Sequence, residues 1–384
     1  MQTVITKVSH YFTLVILAIA FGAGVYWSFS DVGKAVYVFA TILIVACPCA
    51  LALTIPFTFG NVMRVFGRNG FYIKNTDVIE KLTQADTVVF DKTGTLTHSR
   101  TMDVQWQGEA LSITEKQWIR SLARNSTHPL SVIVTESLPA SVTLPVDDYR
   151  EITGAGIAGR VEGHLVLLGS RKFVAGADTP AKSVVSSVFV SIDHKLKGSF
   201  LMQNQYRDGL YEVLAGLKPM QMHLLTGDNN SEEQNLRTYF TLGTQLHFNQ
   251  SPVDKLEYVE QLTKSGRNVI MIGDGLNDAG ALLKADVGIT IADDIYHFSP
   301  ACDAILQSSG FGRLQDYLHF SRAALWIVYA SYFISFLYNI VGLSFAIQGL
   351  LSPVVAAILM PLSSISVVTF ASISVAMLSK ARKF

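Results

Sequence analysis

Cysteine is scarce in this chain: three residues among 384, two of them in the tripeptide Cys47-Pro48-Cys49. That count excludes a disulfide framework. Charge is scarce too. Asp, Glu, Lys and Arg make up 16% of the residues and cancel to zero net charge, where soluble domains carry about 25%. A chain with no basic excess offers nothing to draw a nucleic acid, so that class of partner is not expected. No internal repeat or low-complexity tract is visible. What fills the space is apolar, at 49%, and it is gathered into stretches with no charged residue at all: 11–30, 35–63 and 323–379. The first two are each long enough to cross a bilayer, and Gln348-Gly349 and Ser352-Pro353 divide the third into two more crossings. The first run is about twenty residues long and lacks a small-residue cleavage site, which favours a membrane helix over a signal peptide.

Cations flank these stretches. Arg64, Arg68, Lys74 and Lys81 follow the second, Arg322 precedes the third, and Lys380, Arg382 and Lys383 follow it. Cytoplasmic loops carry the excess of Lys and Arg. The expected topology is therefore four crossings, both termini in the cytoplasm, and a large cytoplasmic insert between the second and third.

The insert, about residues 84–318, reads as α/β. Asp86–Phe90, Gln221–Leu225, Asn268–Ile272 and Val287–Ile291 are short apolar runs of strand length. More than a hundred residues separate the first from the second, far more than an ordinary connection. Residues 98–205 are accordingly expected to form a separate domain inserted into the one built from 84–97 and 206–318.

The first strand ends in Asp91-Lys92-Thr93-Gly94-Thr95-Leu96-Thr97. Catalytic residues of open parallel sheets sit just past a strand's carboxyl end, and a carboxylate can accept a phosphoryl group and split one hard step into two. Asp91 is the candidate nucleophile, Lys92 a counter-charge, and Gly94 a turn that exposes backbone N–H groups. Thr226-Gly227-Asp228 follows the second strand, with a hydroxyl for a phosphoryl oxygen. Lys255, in Pro252-Val253-Asp254-Lys255, opens a helix and can add a second positive charge. Gly273-Asp274-Gly275-Leu276-Asn277-Asp278 follows the third strand; Asp274 is the candidate Mg²⁺ ligand, oriented by Asn277 and Asp278.

Together these loops resemble the DKTGT, TGD and GDGxND motifs of the P-type ATPases. The resemblance implies α-helical transmembrane segments plus an α/β haloacid-dehalogenase-like phosphorylation domain with an inserted α+β nucleotide-binding domain. In residues, that is two membrane helices and a cytosolic extension (1–83), a phosphorylation domain (84–97 and 206–318), a nucleotide-binding domain (98–205) and two further helices (319–384). It also implies ATP and Mg²⁺, the latter held by Asp91, Thr93 and Asp274, and an inner or plasma membrane of bacterial type. Phosphatases on this fold carry a second aspartate two positions after the nucleophile; here that position is Thr93. Without a proton-transfer group there, the aspartyl phosphate is expected to persist.

Residues 98–205 contain Ser126-Thr127-His128-Pro129-Leu130 and Gly154-Ala155-Gly156. These resemble the His-Pro and GxG elements of the heavy-metal subgroup, which implies that His128, Pro129, Gly154 and Gly156 contact nucleotide. Asn125, Thr127 and Ser170 depart from that subgroup's usual residues.

Cys47 and Cys49 lie inside the second apolar stretch. On a regular helix their side chains would point about 200° apart, but a proline opens the helix and broken helices line transport sites. Thiolates favour Cu(I) or Zn(II). The last crossings offer no charged partner for a divalent ion, only Tyr338-Asn339 and Met360-Pro361-Leu362-Ser363-Ser364. These resemble the YN and MxxSS signatures of copper(I)-transporting members, implying ion ligation by Met360, Tyr338, Asn339 and Ser364; Phe370 departs from the pattern. A zinc or cadmium pump, and a membrane-anchored phosphatase or remnant, are the alternatives. No Thr-Gly-Glu actuator motif and no CxxC metal-binding domain occur in these residues. The expectation is therefore part of a pump, able to phosphorylate Asp91 but not to complete transport alone. Membrane lipid, a copper donor protein and a separate actuator segment are the expected partners.

Overall fold

The computed structural model describes residues 2–46, 49–140, 142–176, 186–240, 243–275, 277–293 and 302–384. Three helices open the chain: α1 (Gln2–Ser28), α2 (Val32–Val45) and α3 (Cys49–Arg68). Asp31 starts α2 by accepting hydrogen bonds from the N–H groups of Gly33 (2.8 Å) and Lys34 (3.3 Å), donors that a first turn otherwise leaves open. The apolar stretch 35–63, read above as one crossing, is two helices. One stops at Val45 and the next begins at Cys49, on either side of Pro48, which lacks the N–H a continuous helix needs.

Two later helices, Leu314–Ile347 and Pro353–Ala381, are long and apolar enough to cross a membrane; among the described residues α1 and α2 contribute shorter apolar windows, Thr13–Ser28 and Val32–Val45. Pro353 occupies the first turn of its helix and Ser352 caps it, accepting from the Val355 N–H at 3.1 Å. Ile16 and Ala20 of α1 bury against Val38 and Ile42 of α2 and against Ala346. Asn61 of α3 donates to the Ser372 hydroxyl at 3.2 Å, tying two helices by a polar contact. Where α3 ends, Phe66, Phe71, Tyr317 and Phe320 are fully buried, with ring centroids 4.7 to 5.5 Å apart. Replacing Phe66 by Ala is expected to cost about 3–5 kcal/mol of stability, seen as a fall in the thermal unfolding midpoint.

The strands are β1 (Phe71–Ile73), β2 (Thr87–Asp91), β3 (Thr97–Gly108), β4 (Val146–Ile152), β5 (Gly156–Val161), β6 (His164–Gly169), β7 (Ser186–Ile192), β8 (Lys195–Tyr206), β9 (Gln221–Leu225), β10 (Gln245–His247), β11 (Val269–Gly273), β12 (Val287–Ala292) and β13 (Ala304–Gln307). One sheet has seven strands in the order β1-β13-β12-β11-β2-β9-β10, the other six in the order β3-β8-β7-β6-β5-β4. All four strands read from the sequence are present, within a residue at each end. β2, β11 and β12 are buried throughout, as parallel strands covered on both faces must be.

The chain falls into two compact units. The first comprises Met1–Val89, Tyr211–Met222 and Pro252–Phe384. It holds the long helices and runs β11, β12 and β13 parallel, with β1 antiparallel at the edge. The second comprises Phe90–Leu210 and His223–Ser251. Its six-stranded sheet is antiparallel throughout, and two helices, Ile113–Ala123 and Pro129–Ser137, supply Ile119, Leu122 and Val134 to a core completed by Ile157, Val166, Val190 and Phe200.

Candidate active site

In the second unit, β2 delivers Asp91 at its last position, 3% exposed, and Lys92 directly after it, 2% exposed. The turn that follows is tight. The N–H groups of Leu96 and Thr97 return to the Lys92 carbonyl at 3.0 and 3.3 Å, and Gly94 sits at φ +74°, where an L side chain is strained. Arg207 braces the turn from outside: its Nε donates to the Thr95 carbonyl at 2.8 Å and its Nη2 to the Gly94 carbonyl at 2.9 Å. Lysine cannot reproduce that fork, so Arg207→Lys is expected to slow any chemistry at Asp91 by roughly tenfold, measurable as the rate of acid-stable labelling from ATP.

Thr226-Gly227-Asp228 follows β9. Thr226 is buried; its N–H bonds the His247 carbonyl at 2.9 Å and its hydroxyl accepts from the Asp228 N–H at 3.1 Å. Gly227 leaves no room for a side chain to sit at ease, since a Cβ would lie 3.3 Å from the Gln250 carbonyl. Asp228 meets the two residues that follow Asp91. Its Oδ2 lies 2.6 Å from Lys92 Nζ and accepts from the Thr93 hydroxyl at 3.2 Å.

Lys92 has a second anion, Glu232, at 2.9 Å. Burial, the largest influence, pulls the lysine's pKa down, but hydrogen bonds and charge from Asp228 and Glu232 outweigh it and raise the pKa above its ordinary 10.5. A lysine raised in this way stabilises the fold at every pH below the unfolded value, and the contribution disappears as pH climbs through the higher folded value. Lys92→Met is thus expected to lower the unfolding midpoint equally across the neutral range, with the gap to wild type closing only above about pH 10.5.

The other loops belong to the first unit. β11 ends at Gly273 and Asp274 follows, half-buried. Lys255 lies in the first turn of the helix Pro252–Lys264 and reaches Asp278 Oδ1 at 2.8 Å, with both side chains buried. Asp278's pKa is raised: burial dominates over the opposing Lys255, and Asp274 adds to the rise. Its second oxygen, Oδ2, is buried with no hydrogen-bond donor among the described residues, and it presses so close that a Cβ on Gly273 would meet it at 2.7 Å. An orphaned carboxylate oxygen beside Asp274 suits a hard cation such as Mg²⁺, which takes one or two carboxylates and completes its shell with phosphate and water. Among the described residues no group of three or more His, Cys, Asp or Glu side chains is placed to hold a metal ion. Asn277 is exposed, and Leu276 lies outside the described residues.

In the second unit, His128, Gly154 and Gly156 line a cavity of about 400 Å³ with Ser126, Glu151 and Ser170. His128 caps the helix Pro129–Ser137, accepting from the Leu130 N–H at 3.2 Å through Nδ1, which leaves Nε2 for a ligand. Pro129 fills the first helical position, where no N–H is missed. Gly154 is unobstructed, whereas a Cβ on Gly156 would strike the Leu168 carbonyl at 2.3 Å. The first glycine opens the cavity and the second permits close approach of β5 and β6. Glu151 is held by the Ser126 and Tyr149 hydroxyls at 2.9 and 2.8 Å. Those bonds, Tyr149's first, lower its pKa, while burial and then Glu151 push the Tyr149 phenol up to about 12.

Of the membrane residues, Cys47 lies outside the described residues, and so does the side chain of Cys49, whose backbone begins α3. Met360, Asn339 and Ser364 are half-buried, and Tyr338 is 50% exposed. The described contacts do not join these four. Glu232, Arg207, Tyr206, Asn204 and Glu151 were not singled out in the sequence. Apart from the Tyr149–Glu151 contact, their partners lie more than twenty residues away along the chain, and no motif spacing marks them.

A buried aspartate beside a doubly paired lysine at a strand end, a carboxylate–lysine pair behind an acidic loop, and membrane-length helices define a phosphoryl-transfer protein set in a membrane. Residues 85–286 match the haloacid dehalogenase-like hydrolases. A copper-exporting P-type ATPase of Staphylococcus haemolyticus is 30% identical over 94% of this chain and 47% of its own length; that of a Staphylococcus aureus strain is 29% identical over the same shares. A zinc-transporting PIB-type ATPase in its E2.Pi state superposes with a TM-score of 0.80 at 22% identity, over 97% of this chain and 63% of that one. The chain belongs to the haloacid dehalogenase-like hydrolase family, in its branch of heavy-metal P-type ATPases. It spans about half the length of the curated relatives it matches.

Proposed function

We propose that this chain performs the phosphorylation and ion-translocation steps of ATP-driven copper(I) export. The observation that carries the reading is the buried Asp91–Lys92 junction, with the lysine ammonium fixed 2.6 Å from Asp228. An Asp91 oxygen attacks the γ-phosphorus of ATP, the bond to the β-phosphate oxygen breaks, and ADP leaves. Lys92 offsets the charge on the moving phosphoryl, and the Thr226 hydroxyl hydrogen-bonds one of its oxygens. By resemblance to the P-type motifs, Lys255 would add a second positive charge, and Asp91, Thr93 and Asp274 would hold Mg²⁺, which when bound would draw further charge off the phosphoryl. Thr93 donates to Asp228 and has no acid–base capacity at neutral pH, so the aspartyl phosphate outlives that of a phosphatase. ATP binds with its base and phosphates against His128, Gly154 and the helix begun by Pro129.

Three features of the sequence support copper as the cargo: two cysteines, Cys47 and Cys49, within one tripeptide, the thioether of Met360, and the lack of any charged residue across 323–379. Tyr338, Asn339 and Ser364 complete a neutral set. The placement of cations supports cytoplasmic catalytic loops and termini in a plasma membrane. A copper donor protein, and a Thr-Gly-Glu segment that dephosphorylates Asp91, complete the cycle. The test is X-ray absorption of the purified chain loaded with Cu(I) or with Zn²⁺. Cu(I) with sulfur as the dominant scatterer, most of it lost on replacing Cys47 and Cys49 by Ser, is the expected result. Preferential binding of Zn²⁺ with oxygen or nitrogen ligands contradicts it.

A further inference from the structure

Glu232 ends a short 3-10 turn, Asn230–Glu232, that runs directly into the helix Glu233–Tyr239, and its side chain makes no hydrogen bond to the N–H groups of that helix. It turns away from its helix and is gripped by three partners. Its Oε1 accepts from Asn204 Nδ2 at 3.0 Å, and its Oε2 accepts from the Tyr206 hydroxyl at 3.2 Å and from Lys92 Nζ at 2.9 Å.

Lys92 needs such a partner. Its side chain is only 3% exposed, and a buried ammonium is costly unless paired and hydrogen-bonded. Asp228, its other partner, is 48% exposed, whereas Glu232 is 17% exposed. Attraction to the more exposed carboxylate is weakened by water and salt. Glu232 is the anion that shares the lysine's burial, and Asn204 and Tyr206 fix it from the end of β8. The phenol of Tyr206 is pushed up by burial and then by Glu232, so it stays a protonated donor. An ammonium has three N–H donors. Asp228 and Glu232 take two, and the third is aimed by that constraint rather than by the flexible four-carbon stem.

Given the reading of Asp91 as phosphoryl acceptor, on which this rests, we infer that Glu232 is a positioning residue that pins Lys92 so that its remaining donor meets the transferring phosphoryl group. It touches neither nucleotide nor the reacting atoms. Its effect is on rate, not on ATP binding.

The experiment measures acid-stable phosphoprotein formed from [γ-³²P]ATP by the full chain in detergent, as wild type, Glu232→Gln, Glu232→Asp and Tyr206→Phe. Glutamine keeps the shape and can still bond Asn204 and Tyr206, so the fold is retained, which an unchanged unfolding midpoint checks. The expected result for Glu232→Gln is a labelling rate at saturating ATP roughly tenfold lower, with the half-saturating ATP concentration unchanged. Glu232→Asp, which restores the charge, should recover most of the rate, and Tyr206→Phe should fall between wild type and Glu232→Gln. A Glu232→Gln rate equal to or above wild type overturns the inference, as does an aspartate variant no better than glutamine. If Glu232→Gln does not fold, Tyr206→Phe decides alone: an unchanged rate overturns the inference. Failure of the wild type itself to label overturns the reading of Asp91, and this inference with it; failure confined to the variants leaves that reading standing.

Discussion

Asp91→Asn abolishes the acid-stable, hydroxylamine-labile phosphoprotein that wild type forms from ATP, a loss of at least a thousandfold. Asparagine matches aspartate in size, and Asp91 is almost wholly buried at the end of β2, so the strand and its turn stay in place. What disappears is the nucleophile, since a neutral amide oxygen cannot form the acyl phosphate. Lys92 and Asp228 are untouched, and nucleotide binding in the cavity around His128 is expected to persist. Binding without labelling, read by equilibrium dialysis and acid-quenched labelling on one preparation, separates loss of chemistry from loss of fold. A variant that keeps turning over ATP would instead favour a site elsewhere.

The second large effect concerns the buried pair Lys255–Asp278. Removing one member leaves an uncompensated charge in a dry site, which costs about 3–5 kcal/mol. Asp278→Ala is therefore expected both to lower the unfolding midpoint sharply and to reduce labelling below detection. Replacing both members with apolar residues of similar volume, Lys255→Met with Asp278→Leu, removes the buried charges together. The double variant should recover most of the stability and none of the labelling. Recovery of both would show that the pair only holds the fold together. Recovery of neither would show that the close packing of residue 278 against Gly273 does not tolerate a branched apolar side chain.

The parts of this site that could be read from the chain are those in which a short run carries its own meaning. β2, β11 and β12 are mostly apolar strands that stop at polar residues, and their burial follows from that pattern. Asp91, Thr226 and Asp274 were visible because a strand end fixes where the next side chain lies. The break between α2 and α3 is different. Hydropathy across 35–63 is uniform, and only Pro48 hints that the stretch is not one helix. Glu232 and Arg207 were invisible for a further reason. Their partners, Lys92 and the carbonyls of Gly94 and Thr95, are more than a hundred residues away, and tertiary folding alone brings them together.

The central claim is that Asp91 itself carries the phosphoryl group. Phosphorylating the full chain with ATP and Mg²⁺, reducing it with borohydride and sequencing the peptides by mass spectrometry tests this directly, because an aspartyl phosphate is reduced to homoserine while a free aspartate is not. The account predicts homoserine at position 91, dependent on ATP and absent from Asp91→Asn. Homoserine at another aspartate, or phosphate held as a borohydride-resistant ester on serine or threonine, would contradict it.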